Sequence, residues 1–202
     1  MKKINIKSWI VPMMLMSAHL CVQAQDRLYD NEFPLGDVEL LDGPFKHACD
    51  LNVDVLLKYD TDRLLAPYLK EAGLTPKAES FPCWDGLDGH VGGHYLSALA
   101  IHYAATGVPE LKERMDYVIS ELKRCQDANG DGYVGGVPDG ARLWDELRKG
   151  NVDLIWKYWV PWYNVHKTYA GLRDAWVYTG NETPIESERV SATVCQKKRD
   201  AS

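Results

Sequence analysis

Two segments of the chain end alike. IHYAATG stops at Gly107 and DAWVYTG stops at Gly180. Superimposed with a displacement of 73 positions, they pair Thr106 with Thr179, Tyr103 with Trp176, Leu99 with Leu172 and Ser97 with Ala170. Each copy opens on a polar lead-in bearing histidine and continues as small and apolar residues at spacings of three and four. That period predicts a helix, and a glycine just past it predicts a left-handed stop. Between the copies, residues 109–128 read as another helix. Pro109 suits its first turn. Leu111, Met115, Val118, Ile119 and Leu122 form one apolar face, with Glu113, Glu121, Lys123 and Arg124 expected in water. Inner helix, outer helix, inner helix is the repeat of an all-α toroid, in which the N-terminal ends of inner helices gather at one mouth.

The lead-in of the first copy is dense in chemistry. Trp84, Asp85, Asp88, His90 and His94 fall within eleven residues. Gly92 and Gly93 permit a close backbone approach or a positive φ. Helical periodicity is clear from His94 onward. Polar and aromatic groups in front of a buried helix suit a ligand pocket: Trp84 to stack on a sugar face, the carboxylates and imidazoles to read hydroxyls. The plainer alternatives are a turn at Asp88-Gly89 and a core histidine at His94. The toroid would bring His90, His94 and His166 towards a common site.

The flanking segments read more simply. Residues 25–41 run extended, with a short strand expected at 37–40. Asp42 caps a helix that Pro44 begins, whose lined face is Phe45, Cys49, Asn52, Leu56 and Tyr59. Asp60 and Asp62 begin a second helix that Pro67 breaks and Gly73 closes. DANGDG at 127–132 starts like a calcium loop, but the twelfth position is Pro138 where a bidentate Glu belongs, so it reads as a turn. Residues 133–162 are aromatic and weakly periodic, with a short helix expected at 143–149. They carry Trp144, Trp156, Trp159 and Trp162 and could wall a cleft. Asp145 and Glu146 read as surface charge.

Charge and targeting narrow the partners. The formal net charge is −6. Residues 1–24 hold Lys2, Lys3, Lys7 and no acid, so without them the balance is 20 basic against 29 acidic residues. That disfavours nucleic acid and anionic membranes and suits a neutral polymer. The basic start, the apolar run at 9–20 and Val22-Gln23-Ala24 form an export signal cleaved before Gln25, too short to span a bilayer. The product is expected in the periplasm or outside. Export permits disulfides among Cys49, Cys83, Cys125 and Cys195, in any of three pairings. Residues 184–202 lose the pattern where an outer helix should begin, and read as a disordered tail.

DGPF (42–45), DRLLAPYLKEAGL (62–74), WDGLDGHVGGHYLSALA (84–100), DGYVGGVP (131–138) and YNVHKTYAGLRDAW (163–176) together resemble the β-L-arabinofuranosidases of glycoside hydrolase families 127 and 146. The resemblance implies a catalytic domain over 25–183 that is the front part of an (α/α)6 barrel, here an incomplete (α/α)6 toroid. It implies release of L-arabinofuranose from plant glycans with retention. It further implies zinc, held by cysteines and a glutamate with a cysteine as nucleophile, in later segments than this chain carries. The fragment is therefore expected to lack the zinc–cysteine centre and to hold no cofactor, and its catalytic residues stay unassigned. By the resemblance His166, in Asn-x-His-Lys, is the first candidate for a sugar contact, then His90 and His94, then Trp84, Asp85 and Asp88. The alternative reading is a non-catalytic glycan-binding remnant. Acidic sugars fit less well, since only Arg142, Arg148 and Lys167 flank these segments with positive charge.

Overall fold

The computed structural model describes residues 33–82 and 86–181. These are helical, with no strand among the described residues. Residues 33–38 form a unit by themselves, a single 3-10 turn at Leu35–Asp37 in which the Asp37 amide donates to the Pro34 carbonyl. The strand expected at 37–40 is absent: those residues lack a pairing partner and stay irregular or 3-10. The unit from Glu39 onward holds six described α-helices: α1 (Pro44–Lys58), α2 (Thr61–Glu71), α3 (His90–Thr106), α4 (Pro109–Asn129), α5 (Gly140–Arg148) and α6 (Pro161–Thr179), with a 3-10 helix at Val152–Lys157 before α6.

Helix α3 is central. It touches α1, α2 and α4, and its most extensive partner is α6. Covered on several sides, it is apolar nearly all round, and Leu96, Leu99 and Ala100 are fully buried. Each such leucine contributes about 1.5–3 kcal/mol by burial. The α3–α6 crossing rests on two glycines. A Cβ on Gly93 would lie 2.2 Å from the Lys167 carbonyl oxygen, and one on Gly171 would lie 2.4 Å from the Gly93 oxygen. Close approach, rather than a positive φ, is what Gly93 supplies, since it sits inside a helix that already begins at His90. The two copies end identically. Gly107 and Gly180 both have φ +68°, and their amides donate four residues back to Tyr103 and Trp176 at 2.8 and 2.9 Å. Thr106 and Thr179 hydroxyls bond four residues back to His102 and Ala175.

Four expectations need correction. Asp42 does not cap α1: Gly43 occupies the cap position, without a side-chain bond. Of the face expected for α1, Leu56 is buried, joined by Val53, whereas Phe45 is 79% exposed and Tyr59 is exposed too. Asn52, also exposed, reaches across to the His102 ring at 2.7 Å. Pro67 does not break α2, which runs to Glu71; its ring is buried, and the helix loses only the bond a proline cannot donate. Asp60 is the cap there, accepting from the Asp62 and Arg63 amides. Glu121 is not in water but buried, because the loop after α2 folds over α4: Lys77 lies 3.1 Å from one of its carboxylate oxygens and Arg124 3.1 Å from the other.

The aromatic segment is ordered by a small second core of Val137, Leu143, Trp144 and Leu154. Only the second half of DANGDG is the expected turn: residues 127–129 end α4, Gly130 stops it with φ +72°, and Asp131 accepts from the Tyr133 amide. Asp145 and Glu146 pair with Arg148 and Lys149 at the surface. Cys49 and Cys125 are free thiols, the latter buried; Cys83 and Cys195 lie outside the described residues, as do the export signal and the tail.

Candidate functional site

The first turns of α3 and α6 lie side by side because the glycine crossing draws the helices together there. His90 comes from the start of α3, and Tyr163 from the start of α6. Their rings stand 5.7 Å apart. His94, one turn further along α3, lies 6.2 Å from His90 and 6.4 Å from Tyr163. Its Nε2 is 3.2 Å from the Tyr163 hydroxyl. Lys167 holds its ammonium 5.0 Å above the Tyr163 ring. Two pairs of residues, His90 with His94 and Tyr163 with Lys167, that the sequence separates by about seventy positions thus share one polar surface.

Each imidazole has a distinct state. His90 is buried, and its Nδ1 donates to the Leu87 carbonyl at 2.5 Å, which fixes the tautomer. His94 is exposed at the mouth, yet packing partly desolvates its ring. That desolvation, followed by the charge of Lys167 and the neighbouring His90 and His166 rings, lowers its pKa below 6.5. His94 is therefore neutral at pH 7 and can donate or accept. His166 is exposed on α6, close enough for its charge to act on His94.

A buried polar frame holds this mouth open. Asn164 is almost wholly buried and donates to the Gly86 carbonyl at 3.1 Å; its Oδ1 has no partner among the described residues. Thr168, one turn later, accepts the company of Tyr68 from α2 at 2.9 Å, and the Tyr68 hydroxyl donates to the Gly89 carbonyl. Burial raises the Tyr68 pKa, only partly offset by Thr168, so it remains a neutral donor. Gly89 and Gly136 meet backbone to backbone, since a Cβ on Gly89 would lie 3.1 Å from the Gly136 Cα. The loop before α3 is clamped from the other side by Arg63, whose guanidinium stacks 4.1 Å over Phe81 and donates to the Glu79 and Ser80 carbonyls.

Of the residues singled out in the sequence, His90, His94 and His166 gather here. Asp88 serves the turn, accepting from the Gly86 amide at 3.0 Å. Trp84 and Asp85 lie outside the described residues. Tyr163 and Asn164 were missed, although they precede His166 in the same motif, and Lys167 was named only as a flanking charge. Tyr68 and Thr168 carried no signal, because a tyrosine and a threonine at helical positions read as core. Glu71 was missed too. Its carboxylate accepts from the Asp139 and Gly140 amides, both at 3.1 Å, and so holds the start of α5. Burial raises its pKa, against those two bonds.

Two concavities accompany the mouth. A void of about 20 Å³ behind His90, bounded by Arg63, Phe81 and Leu87, has room for one water. An open cleft of about 560 Å³ lies elsewhere, between the starts of α2 and α4, walled by Tyr59, Asp62, Glu113 and Arg114.

A family model described as the β-L-arabinofuranosidase, GH127 catalytic domain matches residues 37–190. The chain belongs to that family. No curated protein matches it. Among the described residues no three His, Cys, Asp or Glu side chains come together as a metal-binding group, and Cys49 on α1 and Cys125 near the end of α4 are separate thiols. The described residues do not supply the zinc–cysteine donor set that the resemblance implies, so no chemical step is routed through zinc. No described helix is long and apolar enough to cross a membrane.

Proposed function

We propose that the chain forms the sugar-binding front of a retaining β-L-arabinofuranosidase domain, and that the mouth between α3 and α6 takes a terminal L-arabinofuranose of a plant glycan. The observation that carries this reading is the convergence of His90, His94 and Tyr163 beside His166 and Lys167. A furanose presents hydroxyls that both donate and accept, and a neutral His94 matches either role. The positive neighbours that keep it neutral thereby keep its acceptor nitrogen available. On the same reading the identically capped α3 and α6 are inner helices of an (α/α)6 toroid, and residues 1–24 are an export signal.

Bond cleavage needs a proton donor and a nucleophile in fixed opposition at the anomeric carbon. Three described carboxylates have structural work: Asp88 closes a turn, Glu71 caps α5, and Glu121 is buried between two cations. On this reading the described residues bind the sugar, and no proton donor or nucleophile is assigned among them; the second reading is a glycan-binding chain without turnover. The test is titration of the full chain with methyl β-L-arabinofuranoside, following the histidine ring resonances by NMR. Saturable shifts at His94 and His166 are expected, with affinity falling about fivefold to tenfold in His166→Ala, the scale of one hydrogen bond. No shift at either ring would refute the reading.

A further inference from the structure

A second surface adjoins the mouth and has no part in the contacts above. Trp156, Trp159 and Trp162 recur every third residue from the 3-10 helix into the first turn of α6, and they are 85%, 59% and 59% exposed. Three indoles left in water within seven residues are the mark of a binding surface rather than of chance exposure. Two of them are braced. Trp162 packs on the buried Trp144, ring centroids 4.9 Å apart. Trp159 sits against the loop before α3, where a Cβ on Gly86 would lie 3.3 Å from its own Cβ. The carbonyl of that same Gly86 is held by Asn164. The strip is thereby tied to the frame of the mouth, and Trp162 directly precedes Tyr163.

Chemistry selects the occupant. The exposed rings are indoles, amphipathic groups with an N–H donor, and Lys157 and Tyr158 stand between the first two of them. The chain is acidic overall, which disfavours an anionic ligand. A neutral oligosaccharide presents C–H faces to stack and hydroxyls at its edges, which matches both features.

We propose that Trp156, Trp159 and Trp162 form a stacking platform for the glycan residues beyond the terminal arabinofuranose, so that the chain prefers an oligosaccharide to a single sugar. This rests on the reading of the mouth as a furanose site. The experiment compares methyl β-L-arabinofuranoside with a neutral trisaccharide ending in β-L-arabinofuranose, binding each to the full chain, to W156A/W159A and to His166→Ala. Tryptophan fluorescence reports the platform and circular dichroism the fold. The trisaccharide should bind wild type about tenfold more tightly than the monosaccharide. W156A/W159A should lose that advantage while keeping its monosaccharide affinity and helical signal. Equal wild-type affinity for the two ligands overturns the platform and leaves the mouth standing. Absence of binding by either ligand overturns both. Sedimentation that shows a dimer dissociated by W156A/W159A also overturns the platform, by giving the strip to a second copy.

Discussion

On the proposed function His94 balances two demands at the mouth: to meet sugar hydroxyls, and to do so beside three other positive or protonatable groups. Its lowered pKa means that protonation is resisted in the folded chain, so stability falls as pH drops from 6.5 through the folded value. Replacing Lys167 by Met removes one lowering charge, and the His94 titration midpoint followed by NMR should rise towards 6.5. An unchanged or lower midpoint would contradict the proximity claimed for these residues. Glu71 gives a second residue-scale prediction. Glu71→Ala strands the amides of Asp139 and Gly140 and should cost about 1–2 kcal/mol in denaturant unfolding; Glu71→Gln, which keeps an acceptor, should cost less. Because its folded pKa is raised, the wild-type group contributes stability that is present below pH 4.5 and is lost as pH rises through the folded value. That component should vanish in the Gln variant. Cys125, buried with its pKa pushed up to about 11, should resist native alkylation mapped by mass spectrometry, whereas the partly exposed Cys49 should react.

At the level of elements, helix ends were far easier to read than helix contacts. Thr-Gly at 106–107 and 179–180 announced left-handed stops, and the structure has them, because a C′ glycine is a local requirement. Gly92-Gly93 left two readings open, a close backbone approach or a positive φ, and only the Lys167 carbonyl, 2.2 Å from where a Gly93 Cβ would lie, decides for the approach. Pro67 misled for the same reason: tertiary burial of α2 outweighs one lost hydrogen bond. Glu121 misled because its partner Lys77 is remote in sequence. The crossing can be tested directly. Gly93→Ala should cost about 3 kcal/mol or prevent folding, since backbone stands where the methyl would go. Gly107→Ala, with nothing within 4 Å, should cost only about 1–2 kcal/mol for its positive φ. Equal costs would mean that α3 and α6 are not in the contact described.

For the molecule as a whole, the helical class and the gathering of three histidines were legible because both follow from periodicity and a repeat. The aromatic strip was legible only as composition: which tryptophans are buried, as Trp144 is, and which stay in water depends on the small second core. The frame of Tyr68, Asn164 and Thr168 was invisible, since buried polar groups draw their meaning from partners up to a hundred residues away. Family membership and the converging side chains point to one central claim, that the α3–α6 mouth is a furanose site. A crystal structure of the chain with methyl β-L-arabinofuranoside tests it most directly. The account predicts the sugar bonded to His94 and to at least one of Tyr163 and His166. Sugar lodged instead in the cleft between α2 and α4, with the histidine mouth empty, would contradict it.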